Sequence, residues 1–305
     1  MSLLSKITKG AAGLPPRVLL SGPEGIGKST FAANAPAPLF LAAEDGLTGL
    51  ERVDRYTPGT FRELLDFITE IEKAPKVAFR TLVIDTADWL ERLIQDHCCK
   101  RDHQKHIESY SFGKGYKIVE PELVALLAQL DRLRHKHRLG IIILSHVQIK
   151  SHTPPGGDPY DRYEMKGHKG FTGLLREWPD ACLFAVFETF TTKEGNAKKT
   201  IGGERTLHTQ WAPGWDAKNR YNLPDPIPLD RERGYSALLE LIAQSRTAPA
   251  PAPEELREKI RTLAPLAQFP DEAARNRFTG WMADLETHST DMLKKGLKQL
   301  EQLLN

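Results

Sequence analysis

The chain has 305 residues, 40% of them hydrophobic and 27% charged, and a formal net charge of +2. That composition is ordinary for a globular protein of one main domain plus an appendage. It excludes a global basic field, so any nucleic-acid binding has to come from a local patch. Three cysteines, Cys98, Cys99 and Cys182, are too few for a disulfide framework and fit a reducing cytoplasm. No run approaches the ~20 apolar residues of a membrane span, and the basic start over residues 1–10 has no apolar segment behind it of the secretory kind. A soluble cytoplasmic protein is expected, with no membrane partner.

Residues 17–21 (RVLLS) form a short apolar run that ends at a glycine-rich turn, the pattern of a buried strand. A helix over 30–34 follows and is stopped by Pro36 and Pro38. A second buried strand is predicted over 39–43, running into Glu44-Asp45-Gly46. Phe61, Leu64, Leu65, Ile68 and Ile71 have helical spacing over 61–73, and a third apolar strand over 81–84 is closed by Asp85. Helices over 89–105 and 121–136 precede a strand over 140–144 that ends in Ser145-His146. Buried strands alternating with amphipathic helices imply right-handed crossovers and a mostly parallel sheet, an α/β fold.

The texture changes after His146. Residues 150–173 are rich in Gly, Pro, Asp, Lys and His, too polar for core, and are expected to be a long connection. Segments 181–191 and 206–211, joined through Gly195-Asn196 and Gly202-Gly203, look like antiparallel strands. A closing helix over 235–244 leads to TAPAPAP, a stiff Ala/Pro linker over 247–253. The expected organisation is one domain over 1–246, that linker, and a small helical element over 254–305.

Gly22-Pro23-Glu24-Gly25-Ile26-Gly27-Lys28-Ser29 fills every required position of the phosphate-cradling loop, with a strand before it and a helix after it. Glycines let the backbone turn its N–H groups toward phosphate oxygens. Lys28 is expected at the β- and γ-phosphates, Ser29 on magnesium, and Thr30 completes the nucleotide-binding set. Asp85, at the end of an apolar strand, is expected to hold the magnesium with Ser29, although an Asp there also suits a helix N-cap.

Thr86 follows Asp85 where many hydrolytic P-loop enzymes carry a glutamate, so a water-activating base has to come from elsewhere. Glu44 is the candidate, since parallel-sheet logic puts it on the same carboxyl edge as Asp85. The alternative for Glu44 is a solvated loop carboxylate beside Asp45. His146 ends the last core strand on that edge, either to sense the γ-phosphate or to cap a strand. His97, Cys98, Cys99, His103 and His106 invite a zinc reading, but adjacent cysteines are poor tetrahedral partners, and the cluster is read as structural.

The order of phosphate loop, Glu44, Asp85 and His146 at successive strand ends resembles the RecA-like ATPase core. More narrowly, the chain resembles bacteriophage ATP-binding proteins grouped with RecA-like single-strand annealing proteins. Leu39-Phe40-Leu41-Ala42-Ala43-Glu44 is similar to the strand that delivers the RecA catalytic glutamate. Tyr110-Ser111-Phe112-Gly113-Lys114-Gly115-Tyr116 is similar to the phage group's Gly-Lys-Gly-Tyr segment, and Glu177-Trp178-Pro179-Asp180-Ala181 to its strand-entry pattern. Lys218-Asn219-Arg220, with Pro224 beyond, resembles the basic-Asn-basic run that RecA projects onto a neighbour's γ-phosphate.

The resemblance implies ATP and Mg2+ as cofactors, and catalysis by Lys28, Glu44 and His146 with Lys218 and Arg220 acting in trans. It further implies a homo-oligomer with ATP between protomers, in the host cytoplasm if phage-encoded. The stretch after His146 occupies the place where RecA binds single-stranded DNA. It carries Lys150, His152, Arg162, Lys166, His168 and Lys169, with Tyr160, Tyr163 and Phe171 interleaved. Cations beside stacking rings are what sequence-tolerant single-strand binding needs. Asp158, Asp161 and Glu164 dilute the charge, so a solvated or substrate-capping loop stays open.

The function expected is a DNA-dependent ATPase of phage recombination or single-strand annealing, with single-stranded DNA and a single-strand-binding protein as partners. The alternatives are an ATP-gated binding module without turnover and a P-loop phosphotransferase acting on a small molecule.

Overall fold

Alternate residues of four apolar strands feed two separate cores, and this fixes the architecture of the first unit. Leu19, Leu39, Leu41, Leu82, Ile84, Ile141 and Ile143 pack into one cluster, and Val18, Leu20, Phe40, Ala42, Val83, Ile142 and Leu144 into the other. A strand turns successive side chains to opposite faces, so only a sheet covered on both sides buries them all.

The structure is a computed structural model that describes residues 13–42, 53–194, 197–247 and 252–303. In chain order the strands are β1 (Arg17–Gly22), β2 (Pro38–Ala42), β3 (Asp54–Tyr56), β4 (Thr81–Asp85), β5 (Gly140–His152), β6 (Tyr160–Met165), β7 (Ala181–Glu194), β8 (Ala197–His208), β9 (Lys218–Asn219) and β10 (Ile227–Pro228). The helices are α1 (Lys28–Ala33), α2 (Phe61–Lys73), α3 (Ala87–Arg101), α4 (Lys114–His137), α5 (Lys169–Glu177), α6 (Gly234–Thr247), α7 (Pro253–Leu263), α8 (Glu272–Ala283) and α9 (Thr290–Leu303).

The main path of the sheet runs β10-β8-β7-β1-β5-β4-β2-β3, with β6 added to β5 and β9 to β7. From β7 to β3 every pairing on that path is parallel, whereas β8, β10, β6 and β9 pair antiparallel. The fold is thus α/β with a mostly parallel sheet and antiparallel strands toward its C-terminal side. Residues of α2, α3 and α4 cover one face, and those of α1 and α6 the other.

The register places the strand ends that matter. Gly22 lies opposite His146, Asp85 opposite Leu144, and Ala42 opposite Asp85. The phosphate loop, Asp85 and His146 therefore stand at one edge of the parallel sheet.

Two expectations are corrected. Residues 150–173 are not an irregular connection: β5 runs on to His152 and pairs back with β6, from Val147 opposite Met165 to His152 opposite Tyr160, and α5 begins at Lys169. Much of this ribbon is exposed or half-buried, so it carries no apolar periodicity from which strands can be read. The helix expected from residue 121 begins seven residues earlier, at Lys114, and runs through Pro121. The buried Gly115 and Val119 show that packing extends it past its proline.

The chain divides into two compact units, Met1–Arg246 and Thr247–Asn305. The second is built from α7, α8 and α9 around Leu256, Ile260, Leu285, Leu293, Leu297 and Leu300. The central residues of the Ala/Pro stretch, 248–251, lie outside the described residues. Among the described residues no helix is long and apolar enough to cross a membrane.

Candidate functional site

The turn after β1 is built from glycines that no other residue replaces without strain. Gly25 and Gly27 have φ of 75° and 109°, a region that penalises side chains. At Gly22 a Cβ would stand 2.7 Å from the carbonyl oxygen of Ala185. Lys28 is buried, with its Nζ donating to the carbonyls of Gly22 and Pro23, each at 2.9 Å. Burial pushes its ammonium down to about 8, against the pull of Asp85, Asp88 and Glu24.

Ser29 Oγ donates to Asp85 Oδ2 at 2.7 Å. Burial raises the Asp85 carboxyl, opposed by that hydrogen bond and by Lys28. The N-cap position of α3 is held by Thr86 and not by Asp85, so the carboxylate stays turned to Ser29. A hydroxyl–carboxylate pair, a buried ammonium and a glycine cradle fit a nucleoside triphosphate with a divalent cation. Ser29 and Asp85 would hold the cation, and Lys28 with the loop amides would hold phosphate oxygens.

A second layer joins this loop to the ribbon of β5 and β6. His146 Nδ1 lies 3.2 Å from Asp88 Oδ1. Burial alone would raise Asp88, but the hydrogen bonds from His146 and Thr86 hold it well below the usual carboxylate range. The carbonyl of His146 accepts from the N–H of Lys166 at 2.9 Å, and Lys166 Nζ donates to Glu24 Oε1 at 2.7 Å. The Lys166 hydrogen bond holds the Glu24 carboxyl below its ordinary value. Behind them, the buried Glu91 accepts from the N–H of His168, and the His168 ring stacks on Tyr116 of the Gly-Lys-Gly-Tyr segment at 4.3 Å.

From the other side of β1 comes a cation that sequence reading missed. Arg205 of β8 brings Nη1 to 3.7 Å from where a Cβ on Gly27 would stand. Asp88 could have been noticed as an acidic residue in the first turn after Asp85. Arg205 gives no such signal, because only the pairing of β7 with β8 brings it to the loop.

Glu44, the candidate base, and Asp45 lie outside the described residues. Lys218 and Arg220 sit far from this edge. Asn219 of β9 pairs with Ala181, which is level with Val18, four residues or about 13 Å before the loop. Lys218 Nζ donates to the Glu177 carbonyl at 3.0 Å, and Arg220 Nη1 lies 3.5 Å from Asp180. In their own chain they do not reach the phosphate loop.

The candidate DNA-binding set does not hold together as one surface. Arg162 is a correction: its side chain is buried and its guanidinium donates to Asp216 Oδ1 at 2.7 Å, so it is not available to a backbone phosphate. Phe171 is buried in the core, and Tyr163 packs against Phe184 with ring centroids 5.2 Å apart. Lys166 is turned to Glu24. Lys150, half-exposed and 3.8 Å from Glu164, and the exposed Lys169 remain at the surface. In the zinc-like cluster, Cys98 and Cys99 are buried and the His97 ring packs against Phe61.

Residues 14–221 match the family model of an AAA domain. No curated protein matches the sequence. Among solved structures, the crystal structure of the RadB recombinase is similar with a TM-score of 0.41 and 17% identity, over 73% of this chain and 91% of that one. The matched stretch contains the phosphate loop, Asp85 and the Lys218-Asn219-Arg220 run, and the chain belongs to the AAA domain family.

Proposed function

We propose that the chain is a magnesium-dependent ATPase whose turnover is tied to single-stranded DNA, acting in phage recombination or single-strand annealing. The observation that carries this reading is the direct bond between the phosphate loop and the ribbon, Glu24 to Lys166 at 2.7 Å, beside the Ser29–Asp85 pair. A polynucleotide held on the ribbon and a nucleotide held in the loop would act on the same short segment.

Magnesium, which Ser29 and Asp85 would hold, would supply charge neutralisation to the nucleotide's phosphates. Lys28 gives up its two carbonyl partners to phosphate, Ser29 and Asp85 hold the cation, and Glu44 takes the proton of the attacking water. His146, fixed by Asp88, passes the state of the loop to Lys166. Lys218 and Arg220 complete a neighbouring protomer's site, which makes the active form a homo-oligomer with ATP between protomers. On this reading 1–246 is the ATPase domain, 247–253 its linker and 254–305 a helical C-terminal element, with a single-strand-binding protein as a further partner of the chain.

The test is ATP hydrolysis with and without single-stranded DNA at two salt concentrations. Stimulation that weakens at the higher salt is expected. Turnover that ignores DNA at both salts refutes the DNA-dependent reading. ADP release that needs a small-molecule acceptor identifies a phosphotransferase instead.

A further inference from the structure

Arg205 stands where the sheet has already ended for β1. Phe184 of β7 is level with Ser21, and Arg205 pairs with Phe187, three residues or about 10 Å further on. Its side chain is thereby at the height of the phosphate loop and not beside the core. The guanidinium lies over the Phe187 ring, 5.1 Å from the centroid, an arrangement that orients the planar fork. Its Nη1 is close enough to Gly27 that a side chain there would touch it.

The carboxylates and the cations at this corner are not matched one to one. The carboxylates at the loop each have a partner, Asp85 with Ser29, Asp88 with His146 and Glu24 with Lys166. Among the described residues no carboxylate lies within 4.0 Å of the Arg205 guanidinium. Lys28 already stands under the pull of Asp85, Asp88 and Glu24, whereas the Arg205 guanidinium, among the described residues, has only the Phe187 ring beside it and so remains available to an anion at Gly27. Gly27 belongs to the part of the loop whose amides face the α- and β-phosphates.

We infer that Arg205 is a second phosphate-binding cation of the nucleotide site, supplied by the same chain and directed at the α/β-phosphates of a nucleoside di- or triphosphate. This rests on the reading of the loop as a nucleotide site. It differs from the role given to Lys218 and Arg220, which act across a protomer boundary, because Arg205 works in the isolated chain.

The test is titration of the full chain with ADP and with a non-hydrolysable ATP analogue, each with magnesium, alongside melting without nucleotide. Arg205→Met keeps the bulk over Phe187 and removes the charge. It is expected to weaken both ligands alike by about tenfold or more, as for the loss of a charge-assisted hydrogen bond. It should also reduce the salt dependence of binding and leave nucleotide-free melting unchanged. Arg205→Lys is expected to recover part of the loss. Native affinity in Arg205→Met, with binding abolished in Lys28→Ala, overturns the inference and leaves the nucleotide site standing. Native affinity in both variants removes the nucleotide reading itself. Weak binding that Arg205→Lys does not rescue, together with lowered nucleotide-free melting, makes Arg205 a packing residue and also overturns it.

Discussion

Ser29 and Asp85 are 56 residues apart in sequence, yet the hydroxyl of one donates to the carboxylate of the other at 2.7 Å. The bond crosses β5, which lies between β1 and β4 in the sheet. The strand order therefore brings the first turn after the loop and the end of β4 to one place, where on the proposed reading a cation would bind by displacing one hydrogen bond. A hydroxyl and a carboxylate that already face one another need little reorganisation to become ligands of the same ion.

Lys28→Ala should abolish ATP turnover and weaken nucleotide binding strongly, because the β/γ-phosphate charge loses its fixed cation. Thermal shift with ATP and magnesium reports this. A shift equal to that of the native chain would reject the phosphate-loop assignment.

The Lys28 ammonium also predicts a pH dependence. Burial lowers it to about 8 from an ordinary value of 10.5, so between those values the unfolded chain binds more protons than the folded one. Nucleotide-free stability therefore gains from this group as pH rises through that window. Nucleotide affinity should move the other way and fall above about pH 8, as the cation is lost. Lys28→Arg cannot lose its proton there and should flatten the profile. A native profile that stays level from pH 7 to 9 contradicts the argument.

Glu44→Gln should keep nucleotide binding and lower turnover about 10²-fold or more, the usual consequence of removing a general base. Single-turnover hydrolysis compares it with Asp45→Asn. If only the Asp45 variant is slow, the base is the neighbouring carboxylate.

Lys166 and Lys169, one and four residues beyond the end of β6, should separate. Lys169→Ala is expected to weaken single-strand binding and reduce its salt slope by about one, with ATP binding in the absence of DNA untouched. Lys166→Ala removes the partner of Glu24 and should abolish the stimulation of turnover by DNA more than it reduces DNA affinity. Equal loss of DNA affinity in both variants would return Lys166 to the surface set.

The double variant Lys218→Ala, Arg220→Ala should fold and bind ATP, yet lose most turnover at every protein concentration. A finger supplied in trans works only where protomers meet, so native specific activity should rise with concentration. Mixing this variant with Lys28→Ala should restore part of the activity, one contributing the pocket and the other the finger. No restoration, with native turnover independent of concentration, would leave the run as a basic turn tied to Glu177 and Asp180.

What the sequence determined by itself is local. Glycine spacing from Gly22 to Gly27, the apolar runs before Gly22, Asp85 and His146, and the change of texture after His146 follow from backbone sterics and from the burial of short strands on both faces. These sufficed for the α/β class, the loop and the strand-end carboxylate that meets it. Tertiary structure alone decided which cations face the loop. Arg162 and Lys166 have the same charge in the same polar ribbon, but the alternation of a strand turns Arg162 inward to Asp216, while the chain's path after β6 brings Lys166 to Glu24. Arg205 reaches Gly27 through a strand pairing made nearly two hundred residues after the loop, a contact set by sheet register and not by anything near Gly27 in the sequence.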